Sequence, residues 1–147
     1  MKQLWEISTT DHGGTKESIM RRGNVYQLAN GYMGYRGTLD ESGAADAAGI
    51  TLAGIFDQVG TAWREPVNAP NGGYTRVALD GAELAGATVV QHRQTLHFAN
   101  AVFERETTFA RGAKKLTIHS SRFLSADEPH LGVVKFTVAC DQDATVT

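Results

Sequence analysis

Residues 101–125 read AVFERETTFARGAKKLTIHSSRFLS, and their alternation decides the fold class. In an extended chain Phe103, Arg105, Thr107 and Phe109 fall on one face and Val102, Glu104, Glu106 and Thr108 on the other. Ala110-Arg111-Gly112 supplies a turn, after which Leu116 and Ile118 alternate with Thr117 and His119. A period of two over this length predicts a β-hairpin and no helix.

The same pattern extends in both directions. HLGVVKFTVACD, residues 130–141, sets Leu131, Val133, Lys135 and Thr137 against Val134, Phe136, Val138 and Cys140. GYTRVALDGAEL, residues 73–84, carries a strand-like run from Tyr74 to Leu79 before Asp80-Gly81, a dipeptide suited to the positive φ of a type I′ turn. Strands recurring about every dozen residues with Gly or Asp turns predict an all-β antiparallel sandwich. At most one short helix is expected, a turn around Lys16 to Arg21. Asp40 to Gly49, DESGAADAAG, reads as a small polar surface loop.

Composition narrows the classes of function. The 147 residues suffice for one domain with a substantial core, and 41% hydrophobic with 20% charged residues is ordinary for a globular chain. With a net charge of −2 and scattered cations there is no basic stripe for nucleic acid. No run approaches the roughly 18 apolar residues of a membrane span, and the N-terminus lacks the apolar core of a signal peptide. Cys140 is the single cysteine, so no internal disulfide can form. The cytoplasm is the expected compartment and no membrane or nucleic-acid partner is expected.

Glu104 and Glu106 share a strand face roughly 7 Å apart, a separation compatible with paired glycosidase acids. Their same-face neighbours Val102 and Thr108 imply no apolar pocket to raise one pKa, so a solvated strand face is the reading. His92 and His97 fall on opposite faces without further ligands at metal spacing, so no metal is expected. There is no G-x-S-x-G elbow, and Cys140 has the parity of a buried structural thiol. Taken alone, these residues form no catalytic constellation.

Two loops remain. LANGYMGYRGTLDE, residues 28–41, matches neither a dinucleotide fingerprint nor a P-loop. Its glycines, Gly31, Gly34 and Gly37, read as positions for tight turns and close strand crossing, with Asn30 and Arg36 structural beside them. Arg36 is expected to be largely buried, bonded to carbonyls or to Asp40, Glu41 or Asp57. GTAWREPVNAPNGGY carries Trp63, Arg64, Glu65, Asn68 and Asn71, a mixture suited to stacking on a sugar ring and binding its hydroxyls. The structural alternative is Trp63 plugging the sandwich end with the asparagines capping turns.

KESIMRRGN, ANGYMGYRGTLDE, GIFDQVGTAWREPVNAPNGGYTRVALDG, HRQTLHFANAVFERETTF and RFLSADEPHLGVVKFTV together resemble, in order, the N-terminal domain of glycoside hydrolase family 65. These are the maltose, kojibiose, trehalose and nigerose phosphorylases and their relatives. Asn30-Gly31-Tyr32-Met33-Gly34-Tyr35-Arg36-Gly37 is the most specific part. The resemblance implies a galactose mutarotase-like super-sandwich, partial over 1–147, joined to a C-terminal (α/α)₆ barrel absent from this chain. It also implies inverting cleavage of an α-glucoside disaccharide, usually with inorganic phosphate as co-substrate and β-glucose 1-phosphate as product. The barrel carries the acid and the phosphate site, so no catalytic residue transfers to this chain and no cofactor is expected. The resemblance makes Tyr32, Tyr35, Trp63, Arg64, Glu65, Asn68 and Asn71 candidates for walling the sugar site, and a homodimer the expected assembly. The rival readings are a stand-alone carbohydrate-binding sandwich, with Trp63 and Tyr74 as stacking platforms, and a structural module for dimerisation.

Overall fold

The computed structural model describes residues 5–13, 15–42, 48–84 and 87–147. In chain order the elements are β1 (Glu6–Thr9), α1 (Lys16–Val25), β2 (Leu28–Ala29), β3 (Met33–Tyr35), β4 (Ile50–Asp57) and β5 (Glu65–Ala69). There follow β6 (Ala78–Leu79), β7 (Ala82–Glu83), β8 (Thr88–His97), β9 (Val102–Arg111), β10 (Lys114–Leu124) and β11 (Gly132–Cys140). The larger sheet is antiparallel in the order β1-β8-β9-β10-β11, the smaller is β2-β3-β4-β5, and β6-β7 is a separate hairpin. This is the antiparallel sandwich that the alternation predicts.

The alternation fixes which side chains point inward. Cross-strand register aligns Leu96, Phe103, Arg122 and Val134 in one row, and Gln94, Arg105, Ser120 and Phe136 in the next. His92, Thr107, Ile118 and Val138 form a third row, and Val89, Phe109, Leu116 and Cys140 a fourth. At one end Leu96, Phe103 and Leu124 pack against Tyr26, Leu28 and Tyr35 beneath the smaller sheet. At the other, Phe109, Leu116 and Ile118 pack against Leu79 and Leu84 of the β6-β7 region, with Cys140 half-buried at its margin. Burial of these side chains, at roughly 1.5–3 kcal/mol each, drives the two layers together.

Between the two apolar clusters lies a charged layer. Arg105 has no exposed side-chain surface and pairs with Asp40 at 3.1 Å. Its Nη2 also donates to Glu41 at 2.7 Å. Ser120 Oγ donates to Asp40 at 2.6 Å. Arg105 Nε donates to Thr107 Oγ1, leaving the threonine hydroxyl to donate to His92 Nδ1 at 2.7 Å, and His92 Nε2–H then faces Gln94 Oε1. That chain requires a neutral His92, in keeping with a pKa pushed down to about 4, first by burial and then by His12. Arg122 lies between the rings of Tyr35 and Phe103, 4.4 Å from each centroid, and donates to the carbonyl of Thr38.

Two local expectations are corrected. Asp40 is buried, with 1% exposure, because Arg105 needs a counter-ion inside the sandwich; residues 43–47 of the anticipated surface loop lie outside the described residues. The helix runs four residues past Arg21 to Val25. Thr15 caps its start by accepting from Ser18 N, and the Gly23 it contains is close-packed.

Candidate functional site

The Asn30–Gly37 segment forms a rigid corner of the smaller sheet. Asn30 Oδ1 accepts from Tyr32 N and Met33 N, while its Nδ2 donates to the carbonyls of Ser125 and Pro129. One side chain thus closes the β2-β3 turn and ties it to the loop after β10. Gly31 has φ +90°, which a side chain rarely adopts. Gly37 donates to Gly23 O at 2.8 Å, so close to the helix that a Cβ would overlap Tyr26.

Arg36 is half-buried and donates to Met20 O at 2.9 Å. Of the two expected kinds of partner it has the carbonyl; Asp40 and Glu41 are taken by Arg105, whose parity with Phe103 and Phe109 directs it inward. The Nε of Arg36 is buried without a partner among the described residues. With Gln27, Thr51 and Asn68 it borders a polar groove of about 280 Å³ on the outer face of the smaller sheet. Gly34 and Gly49 floor this groove, where added Cβ atoms would lie 2.9 Å from Thr51 Oγ1 and 2.8 Å from Asn68 Oδ1.

The other candidates separate. Tyr35 is buried, its hydroxyl donating to Asn71 Oδ1 at 2.9 Å, and Asn71 also accepts from Gly73 N. Burial raises the Tyr35 pKa, against a smaller lowering by Arg122. That side chain is therefore core. Tyr32 meets the His130 ring edge-to-face at 4.3 Å. Glu65 pairs opposite Asp57 and Asn68 opposite Thr51 along the β4-β5 hairpin, which is interrupted by an irregularity between Thr51 and Phe56.

The tip of that hairpin is exposed. Trp63 is 86% accessible and does not plug the sandwich end; Val59 is 79% and Phe56 58% accessible. Gln58 Nε2 donates to Ala62 O and its Oε1 accepts from Arg64 Nε at 3.1 Å, so Arg64 is positioned beside the tryptophan. Phe56, Trp63 and Arg64 border a concavity of about 630 Å³. A projecting tryptophan offers a face for a sugar ring or an apolar partner surface.

Glu104 and Glu106 lie on the outer face of the larger sheet, against His97 at 3.0 Å and His119 at 3.5 Å. Among the described residues no group of three or more His, Cys, Asp or Glu side chains could hold a metal ion. No helix there is long and apolar enough to cross a membrane. The residues that sequence reasoning missed are Arg105 and Arg122; their inward parity was the signal available.

Fold and site together define a β-sandwich domain with a glycine-floored polar groove and a projecting aromatic hairpin. The chain belongs to the family described as glycosyl hydrolase family 65, N-terminal domain, whose profile matches residues 9–147. It is 40% identical over 133 residues to nigerose phosphorylase of Lachnoclostridium phytofermentans, covering 89% of this chain and 18% of that protein. It is 29% identical over 141 residues to 1,2-alpha-glucosylglycerol phosphorylase of Bacillus selenitireducens, covering 95% and 18%. A solved structure of a candidate kojibiose phosphorylase from the human microbiome shares the fold with a TM-score of 0.84 at 18% identity, covering 97% of this chain and 20% of that one. The chain thus spans about a fifth of the length of these relatives.

Proposed function

We propose that this sandwich is a non-catalytic part of an inverting α-glucoside phosphorylase. It supports a catalytic (α/α)₆ barrel and lines the sugar site with the outer face of its smaller sheet. In this reading the barrel supplies the acid, inorganic phosphate is the co-substrate, the products are β-glucose 1-phosphate and the released sugar, and the protein works in the cytoplasm as a homodimer. The observation that carries the reading is the hairpin tip, where the exposed Trp63 and Phe56 border one concavity. A scattered exposed apolar residue needs no explanation, but a projecting cluster marks a surface that meets something. Arg64, held by Gln58, adds a forked donor beside the ring.

The test is a chimera in which the 133 matched residues of the L. phytofermentans nigerose phosphorylase are replaced by those of this chain. Phosphate-dependent cleavage of nigerose is retained, and Trp63→Ala raises KM about tenfold, equivalent to roughly 1.4 kcal/mol of binding. An active chimera whose kinetic constants ignore Trp63→Ala refutes the reading. Saturable oligosaccharide binding by the chain alone, lost with Trp63→Ala, would favour a stand-alone carbohydrate-binding sandwich instead.

A further inference from the structure

The open edges of the two sheets are not alike. β1 has four residues, β2 two, and β5 five including Pro66, so each offers little ladder to another chain. β11 has nine, with no proline and no slip in its register with β10. That is roughly 30 Å of regular strand. Among the described residues no strand pairs with its far side. The segment beyond it turns away, with Thr145 and Thr147 bonded to Asp80 and Ala78.

Register determines which backbone groups that far side presents. Asp141 N donates to Lys115 O and Ser125 N to Leu131 O, and both pairs continue the β10-β11 alignment. Bonded and unbonded pairs alternate in an antiparallel ladder, so the odd-numbered residues of β11 bond to β10. Gly132, Val134, Phe136, Val138 and Cys140 therefore turn N–H and C=O to the open side. The same residues belong to the inward-facing rows, opposite Leu124, Arg122, Ser120, Ile118 and Leu116. Val134 is 37% exposed, and Phe136, Val138 and Cys140 are half-buried, so the apolar row is incompletely covered as well. The one charged side chain of the strand, Lys135, lies on the outer face.

An unpaired ladder selects an extended strand, and the half-covered row selects one with apolar side chains at alternate positions. β11 meets both requirements itself. Laid antiparallel about a two-fold axis through Phe136, it pairs over its whole length: Gly132 with Cys140, Val134 with Val138, and Phe136 with its own mate. Every outward group then has a partner, giving about ten backbone hydrogen bonds. On the outer face Lys135 falls opposite Thr137, and the two lysines stand diagonally across the axis rather than face to face. An axis through Lys135 would set them directly opposite and shorten the ladder. We propose that two copies of this chain join edge to edge through β11, merging their five-stranded sheets into one. Such a contact uses the same patch on both copies and closes at two. It locates the homodimer contact of the phosphorylase reading and rests on that reading only for the number of copies.

Amide exchange of the ¹⁵N-labelled chain at about 10 μM and about 1 mM brackets the ~100 μM dissociation constant expected of so small a contact. The odd-numbered amides of β11 should exchange slowly at both concentrations. Those of Val134, Phe136 and Val138 should slow about fourfold in the concentrated sample, following the fall in free monomer. Sedimentation equilibrium should show monomer and dimer and nothing larger. Val134→Pro, which removes an outward N–H and spares the ladder to β10, should be monomeric with an unchanged circular-dichroism spectrum. Lys135→Cys with Thr137→Cys in a Cys140→Ser background should oxidise to a covalent dimer, and Lys135→Cys alone should do so far more slowly. A chain monomeric at both concentrations overturns the proposal, as do even-numbered amides that ignore concentration. So do assemblies larger than two, a dimer that survives Val134→Pro, or equal cross-linking of the two cysteine variants. Should Val134→Pro unfold, exchange in the unaltered chain decides alone. A dimer formed elsewhere refutes this interface and leaves the phosphorylase reading standing, because Trp63 on the hairpin of the smaller sheet judges that reading.

Discussion

Replacing Arg105 by methionine removes the central cation of the charged layer while keeping a side chain that fills the space. Asp40, 1% exposed, then retains Ser120 Oγ as its donor; its Oδ1 already lacks a partner among the described residues. Glu41 is 36% exposed at its side chain and can be satisfied by water, so its loss costs little. The main cost is the uncompensated buried carboxylate, about 3–5 kcal/mol. For a domain of this length that lowers the thermal midpoint by roughly 10 °C. Thr107 Oγ1 also loses the donor that orients its hydroxyl toward His92. Urea unfolding followed by circular dichroism measures the loss, and adding Asp40→Asn recovers at least half of it by removing the stranded charge. If Arg105→Met unfolds within 1 kcal/mol of the parent, or Asp40→Asn deepens the loss, the ion pair does not organise the core as described.

Acid should destabilise the fold through His92. Its folded pKa of about 4 lies below the ordinary 6.5, so the unfolded chain takes up the proton first. The contribution is complete above 6.5 and is lost as pH falls toward 4, by about 3 kcal/mol in all. His12, also lowered by burial, acts in the same direction. Unfolding curves at neutral pH and near pH 4.5 measure this slope, and His92→Gln should flatten it. Gly37→Ala should cost about 1–3 kcal/mol in chemical denaturation because the methyl group overlaps Tyr26. Arg36→Lys should cost no more than about 1 kcal/mol in the same assay, since Arg36 is half-buried and bonds Met20 O.

Strands β9, β10 and β11 of the larger sheet were legible because their residues alternate: Phe103 to Phe109 and Leu116 to Ile118 declare their faces before any neighbour is known. Strand β8, whose pairing slips between Val89 and Gln91, and the four-residue β1 give no such clean period. Asp80 and Gly81 likewise carry the positive φ values their turn demands. Strands β2 and β3 were hidden because two- and three-residue strands among glycines have no period to read. The burial of Asp40 depends on Arg105, 65 residues later, and a local reading of DESGAADAAG cannot supply that partner. Tyr35 and Trp63 look alike as loop aromatics. One is drawn inward by Arg122 and Asn71 and the other left on a hairpin tip, a difference set by tertiary contacts alone.

Maleimide labelling of a cysteine placed at Trp63 tests most directly whether the hairpin meets the rest of a phosphorylase. Trp63→Cys in a Cys140→Ser background is prepared both as this chain alone and within the nigerose phosphorylase chimera, whose own cysteines are corrected for in a control lacking the new thiol. The isolated chain should label rapidly, as befits a position 86% exposed. The chimera should label at least tenfold more slowly, and more slowly still with nigerose bound. Equal rates in the two proteins would contradict the assignment of this hairpin to the sugar-site wall.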